Sequence, residues 1–115
     1  MTKIYHNPRC SKSRQGLALV EASGLPYSIV LYLKEPLLFD EVKTIISQLG
    51  IKPIDLVRKG EAIWKASFKN KDLTDAEIIQ AMVEHPTLIE RPIVIHGDKG
   101  VIGRPPENIS TLLSK

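Results

Sequence analysis

The sequence predicts an α/β fold in the order β-α-β, helical insert, β-β-α. Three observations carry that prediction. Two apolar segments rich in β-branched and aromatic residues flank a helical stretch within about 30 residues, the layout of a βαβ unit. A block from about residue 38 to 85 then shows helical patterning alone. Near the end, two strand-like segments around a short turn precede a last amphipathic helix. At 115 residues the chain has the size of one domain, so residues 1–115 are expected to form a single domain with an insertion at about 38–85.

Residues 3–6, KIYH, are short, apolar and partly aromatic, and Asn7-Pro8 turns the chain after them. Residues 11–23 read as a helix. Leu17 and Val20 share a face that Ala18, Leu19 and Ala22 fill in, Gly24 suits the position past the end, and Pro26 forbids continuation. Residues 27–32, YSIVLY, read as a strand, and Ile29-Val30-Leu31 has no polar face, which predicts cover on both sides. Val42, Ile45, Ile46 and Leu49 stand at i, i+3, i+4 and i+7, the clearest helical stripe in the chain, and Gly50 ends it. PIDLVRKG and AIWKASF read as short helical turns. A Thr74-x-x-Glu77 capping box opens a helix that stops before Pro86. PIVIH at 92–96 and VIG at 101–103 form a hairpin around GDKG. Pro105 and Pro106 lead into a helix with Ile109, Leu112 and Leu113 on one face.

Composition excludes several classes. A hydrophobic fraction of 43% and a charged fraction of 25% are those of a soluble globular protein. No run approaches the ~18 apolar residues that a membrane span needs. The start, MTKIYHNPRC, lacks the apolar stretch of a signal peptide, which predicts a cytoplasmic protein with no membrane partner. The single cysteine cannot form an internal disulfide, in keeping with a reducing compartment. The net charge of +3 is spread along the chain with few aromatics among it, so no nucleic-acid partner is expected.

The chemistry concentrates at that cysteine. Cys10 stands where the first strand hands over to the first helix, and a helix N-terminus carries partial positive charge and unpaired N–H groups. Both stabilise a thiolate. Arg9, Lys12 and Arg14 add charge, His6 adds more if protonated, and Ser11 and Ser13 bring hydroxyl donors. The same amides suit a tetrahedral oxyanion, so nucleophile and anion site coincide. A free cysteine is usually a small buried hydrophobe, but this position and its polar neighbours favour a reactive one. Arg58, Arg91 and Arg104 offer planar guanidinium groups fit for bidentate oxyanion recognition, although a lone arginine is ordinarily a solvated surface residue. Arg91 and Arg104 lie at the ends of a hairpin expected to pair beside the first strand, which aims them at the Cys10 end of the sheet. Pro92, at a strand start, is a candidate for a cis bond. His85 and His96 have no metal-binding spacing and read as structural or surface residues. Trp64 reads as packing, and Glu35, Asp40 and Glu41 as charges at a helix start.

Four ordered motifs, YHNPRCSKSR, LVRKGE, ERPIV and GRPPE, resemble the arsenate reductase family that draws electrons from glutathione and glutaredoxin. The resemblance covers nearly the whole chain. It implies a thioredoxin-like fold with a central mixed sheet flanked by helices, in line with the element order above. It implies that Cys10 is the nucleophile, that His6 helps to keep the thiol ionised, that Ser13 partners the thiolate, and that Arg58, Arg91 and Arg104 bind the anion. It further implies a structural cis-proline at Pro92, no bound cofactor or metal, and glutathione and glutaredoxin as external partners. One cysteine suffices when the resolving thiol comes from outside. A related branch binds RNA polymerase and regulates transcription, and its redox-sensing members carry Cys-x-x-Cys. Here Ser13 holds the fourth position, which excludes an internal disulfide switch. The competing expectations are therefore a reductase, a thioredoxin-fold binding or transcription-regulatory protein without reductase activity, and a thiol oxidoreductase acting on another substrate.

Overall fold

A computed structural model describes residues 2–114 and divides the chain into two compact units, one from residues up to 35 and from 91 onward, the other Pro36–Glu90. The first unit holds a four-stranded sheet made of β1 (Thr2–Tyr5), β2 (Tyr27–Val30), β3 (Ile93–His96) and β4 (Lys99–Ile102) in the order β2-β1-β3-β4. β1 runs parallel to β2 and antiparallel to β3, and β3 pairs antiparallel with β4, so the sheet is mixed. The register sets Ile4 beside Ile29 on one side and Val94 on the other, with Val101 beyond. Helix α1 (Ser11–Ala22) and helix α5 (Glu107–Leu113) supply Val20, Ile109 and Leu113 to the core that closes over Ile4 and Val94. Burying each such aliphatic side chain stabilises the fold by about 1.5–3 kcal/mol.

Two details depart from the expectations. Ile29 is 42% exposed, and the strand ends at Val30 because Lys34 and Glu35 donate back to the Leu31 carbonyl in a turn. β2 is an edge strand, so its apolar run reflects β-propensity rather than cover on both faces. In α1, Ala18 and Ala22 are exposed, and the buried stripe is Ser13, Gly16 and Val20. A Cβ on Gly16 would stand 2.7 Å from Pro92 Cγ and 3.0 Å from Ile109 Cδ1. Only a residue without a side chain lets α1 approach the proline ring and α5 so closely. Gly103 does the same from the end of the hairpin, where a Cβ would meet Ile109 Cδ1 at 2.6 Å and Pro92 Cγ at 2.9 Å.

The second unit is mainly helical. Helix α2 (Phe39–Leu49) buries Val42, Ile45 and Ile46, and Gly50, at φ +67°, closes it by donating to the Ile46 carbonyl. Two 3-10 turns, Pro53–Leu56 and Pro86–Leu88, bracket helix α3 (Ala62–Ser67) and helix α4 (Asp75–Glu84). The Thr74 box is complete: its hydroxyl accepts from the Glu77 amide at 3.2 Å and its amide donates to the Glu77 carboxylate at 2.8 Å. Trp64 is buried and stacked on Phe68, so it packs. His85 meets Phe68 edge-on, and His96, in the first unit, pairs with the Thr2 hydroxyl at 2.8 Å. The Glu41 carboxylate accepts from the Leu38 amide at the start of α2.

Candidate active site

The loop between β1 and α1 is built from its own polar groups. Asn7 holds it at both ends: its carbonyl accepts from the Cys10 amide at 3.0 Å, and its side-chain oxygen accepts from the Arg9 amide at 3.1 Å. Arg14 reaches back from α1 to the Pro8 carbonyl at 2.8 Å. Cys10 is the residue that precedes α1, extended at φ −99° and ψ 122°, while its carbonyl already accepts from the Arg14 amide. Its sulfur therefore occupies the place where a capping oxygen usually meets the first free amides of a helix. No side-chain cap closes there in the strict sense, yet the Ser13 and Lys12 amides act on the sulfur electrostatically.

Two arginines from the far end of the chain complete the surroundings. Arg91 donates to the Cys10 sulfur. Arg104 Nη2 donates to it at 3.7 Å, while Arg104 Nε donates to the Arg91 carbonyl at 2.7 Å. The two cations are thus tied to each other as well as to the thiol. Partial burial raises the thiol pKa. The Ser13 amide, the hydrogen bond and charge of Arg91, and the Lys12 amide lower it, and the lowering side prevails, so Cys10 ionises below its ordinary 9.0.

His6 and Ser13 are both buried, at 5% and 0% exposure, and pair through Nδ1 and Oγ at 2.7 Å. The Ser13 oxygen also accepts from the Asn7 amide at 2.9 Å. Burial holds the His6 pKa below its ordinary 6.5, the bond with Ser13 offsets part of that, and the charge of Arg14 adds to the lowering. The ring is therefore mainly neutral at pH 7, and its Nδ1 shares one hydrogen bond with the Ser13 hydroxyl. That hydroxyl braces the loop, and the group that Ser13 turns toward the sulfur is its backbone N–H.

Arg58 belongs to the second unit. Its backbone amide donates to the Leu88 carbonyl at 2.7 Å, beside an isolated bridge between Val57 and Ile89. Its guanidinium lies 3.0 Å from the Glu61 carboxylate and 3.7 Å from that of Glu90. Of the three arginines picked from the sequence, Arg91 and Arg104 gather at Cys10 within the first unit, and Arg58 is paired with two carboxylates in its own. The Arg91–Pro92 bond is cis, and so is Arg104–Pro105, which sequence reasoning did not single out. Gly16 and Gly103, which let α1 and the hairpin close on Pro92, were missed as well. A glycine inside a helical pattern costs about 1 kcal/mol against alanine and is the signal that marks such close approach. Among the described residues, no group of three or more His, Cys, Asp or Glu side chains is placed to hold a metal ion.

A thiol of lowered pKa with two arginines beside it on a mixed sheet can now be set against known proteins. Residues 5–112 match the ArsC family. The chain belongs to the ArsC family. It is similar to the arsenate reductase of Haemophilus influenzae, to which it is 46% identical over 112 residues, 96% of this chain and 97% of that protein. Two solved structures overlay closely. One from Yersinia pestis has TM-score 0.91 and 45% identity, with 96% of this chain and 99% of that one covered. The arsenate reductase from Vibrio cholerae has TM-score 0.90 and 39% identity, with 96% and 95% covered. The mixed sheet with flanking helices is accordingly the thioredoxin-like fold of those ArsC-family structures. Among the described residues, no helix is long and apolar enough to cross a membrane.

Proposed function

We propose that this ArsC-family chain reduces arsenate to arsenite through Cys10, with glutathione and glutaredoxin as reductants and no bound cofactor. The observation that carries the reading is the sulfur itself: its pKa is lowered and two guanidinium groups lie against it. The Cys10 thiolate attacks As(V) of dihydrogen arsenate. An As–O bond breaks, the oxygen leaves with its protons as water, and a thiol ester of arsenate remains on the enzyme. Arg91, Arg104 and the first amides of α1 hold the oxyanion and spread its charge as the arsenic becomes more crowded. Glutathione thiolate then attacks the Cys10 sulfur. The As–S electron pair stays on arsenic, which becomes As(III) and departs as arsenite, and the two sulfurs are oxidised to a mixed disulfide. Glutaredoxin returns Cys10 to the thiol by taking up the glutathionyl group. The only cysteine of the chain is Cys10, so the second sulfur in this scheme comes from outside.

The test is arsenate-dependent NADPH oxidation coupled through glutathione reductase, glutathione and glutaredoxin. Wild type turns over and Cys10→Ser, folded by circular dichroism, does not. Turnover by Cys10→Ser would refute the assignment of the nucleophile. Absence of turnover in wild type would refute arsenate as the substrate.

A further inference from the structure

Arg104 stands on the short link between β4 and α5, residues 103–106, where Pro105 and Pro106 carry no N–H to fix the chain. A side chain from α5 ties the link instead. Asn108 Nδ2 donates to the Ile102 carbonyl at 3.1 Å and to the Arg104 carbonyl at 3.3 Å. The Ile102 carbonyl also accepts from the Arg104 amide at 2.8 Å. A side-chain amide has two N–H donors, and both of its near neighbours here are carbonyl acceptors, so the nitrogen is the end that faces them. One side chain thus clamps the end of β4 and the backbone of Arg104 to the start of α5. From that backbone the Arg104 guanidinium reaches the Arg91 carbonyl at 2.7 Å and the Cys10 sulfur at 3.7 Å. The contact with sulfur is long, so a small displacement of the link breaks it. The partners of Asn108 itself are the two carbonyls, not the sulfur.

We propose that Asn108 is a positioning residue: by clamping the Ile102 and Arg104 carbonyls it aims the Arg104 guanidinium at Cys10 and at the oxyanion. The inference rests on the reading above for the reaction that Arg104 serves. A residue that only closes the start of α5 acts on stability alone. A residue that aims Arg104 acts on the thiol and on the anion, and loses that effect once the Arg104 side chain is gone. Asn108 also lines a cavity of about 580 Å³ with Val101, Thr111 and Leu112. That space admits a longer side chain, and alanine is a better helix former than asparagine, so both Asn108→Gln and Asn108→Ala are compatible with the fold.

The experiment compares Asn108→Ala, Asn108→Gln, Arg104→Ala and the double variant Asn108→Ala/Arg104→Ala with wild type. Iodoacetamide alkylation of Cys10 against pH, without arsenate, gives the midpoint of the thiol. The coupled assay gives kcat and KM for arsenate. Asn108→Ala is expected to move the midpoint upward, as Arg104→Ala does but by less, and to lower kcat/KM about threefold or more. Asn108→Gln, which keeps the donor, is expected to recover part of both. The double variant is expected to match Arg104→Ala alone. An unmoved midpoint in Asn108→Ala overturns the proposal, with or without a fall in Tm. So does a double variant whose losses are the sum of the two singles, since Asn108 would then act by a route other than Arg104. A midpoint that moves in Asn108→Ala, and no further in the double variant than in Arg104→Ala, keeps the positioning role even in a protein that fails to reduce arsenate, where it is the substrate that falls. Arsenate turnover with an unmoved midpoint keeps the substrate and removes the positioning role.

Discussion

Removing the Ser13 hydroxyl separates two roles that the sequence could not tell apart. Ser13 is fully buried, and its oxygen serves His6 Nδ1 at 2.7 Å and the Asn7 amide at 2.9 Å. In Ser13→Ala both partners lose their hydrogen bond, His6 in a buried place and Asn7 in a partly buried one. Each buried polar group left without a partner costs about 1–3 kcal/mol, so the pair should cost about 2–4 kcal/mol once the loop relaxes. For a chain of this length that corresponds to a drop in Tm of about 8–20 °C. The alanine keeps the backbone N–H that acts on Cys10, so the thiol pKa should rise less than in Arg91→Ala, where a donor and a charge disappear together. Urea unfolding gives the stability, and ultraviolet thiolate absorbance against pH gives the ionisation. A Ser13→Ala protein that loses less than about 1 kcal/mol would refute the bracing role. One that raises the Cys10 pKa more than Arg91→Ala would show that the hydroxyl, rather than the amide, serves the sulfur.

The alkylation rate of Cys10 by iodoacetamide should rise with a midpoint below 9.0 in wild type, and both Arg91→Ala and Arg104→Ala should move that midpoint upward; an unmoved midpoint in either would remove that arginine from the site. Arg104→Lys should also weaken oxyanion binding, because one ammonium cannot span the Arg91 carbonyl and the sulfur as Nε and Nη2 do; a Kd for arsenate equal to that of wild type would contradict this. Gly16→Ala should destabilise by about 1–3 kcal/mol despite its better helix propensity, since the new Cβ meets Pro92 at 2.7 Å, and a gain in Tm would refute the close approach. His6 is held below its unfolded pKa of 6.5, so the unfolded chain binds the extra proton more readily. Its contribution is complete above 6.5 and is lost as pH falls below it, so the wild-type stability curve should slope downward there more steeply than that of His6→Gln, as chemical unfolding at several pH values would show.

What the sequence disclosed and what it withheld have a common cause. Helices with a capping box or a clean apolar stripe were legible, because Thr74–Glu77 and Val42–Ile45–Ile46 are local patterns with local physics. The hairpin and the β-α-β start were legible for the same reason. The edge position of β2 was not, because Ile29 in an edge strand and Ile29 in a central one read alike, and only strand order distinguishes them. The buried stripe of α1 was misread for a related reason. Ala18 and Ala22 are apolar enough to be buried, whereas Ser13 and Gly16 are buried because of partners far along the chain, His6 on another element and Pro92 in the hairpin. At the site, the ordered motifs carried Cys10, Arg91 and Arg104, and the structure brings these together. The division of labour within Ser13, hydroxyl to His6 and amide to the sulfur, is a matter of direction, which residue type cannot encode.

The link between Arg104 and the sulfur joins residues 94 positions apart. Arg91, which lowers the thiol pKa from the same side, also lies near the end of the chain. A nascent chain that has only its first strand and helix holds the cysteine with the Ser13 and Lys12 amides but not these two cations. The share of the sulfur's acidity that Arg91 supplies thus arrives with the closing of the C-terminal hairpin onto the first strand. The thiol reaches its full acidity only when segments far apart in the polypeptide have met.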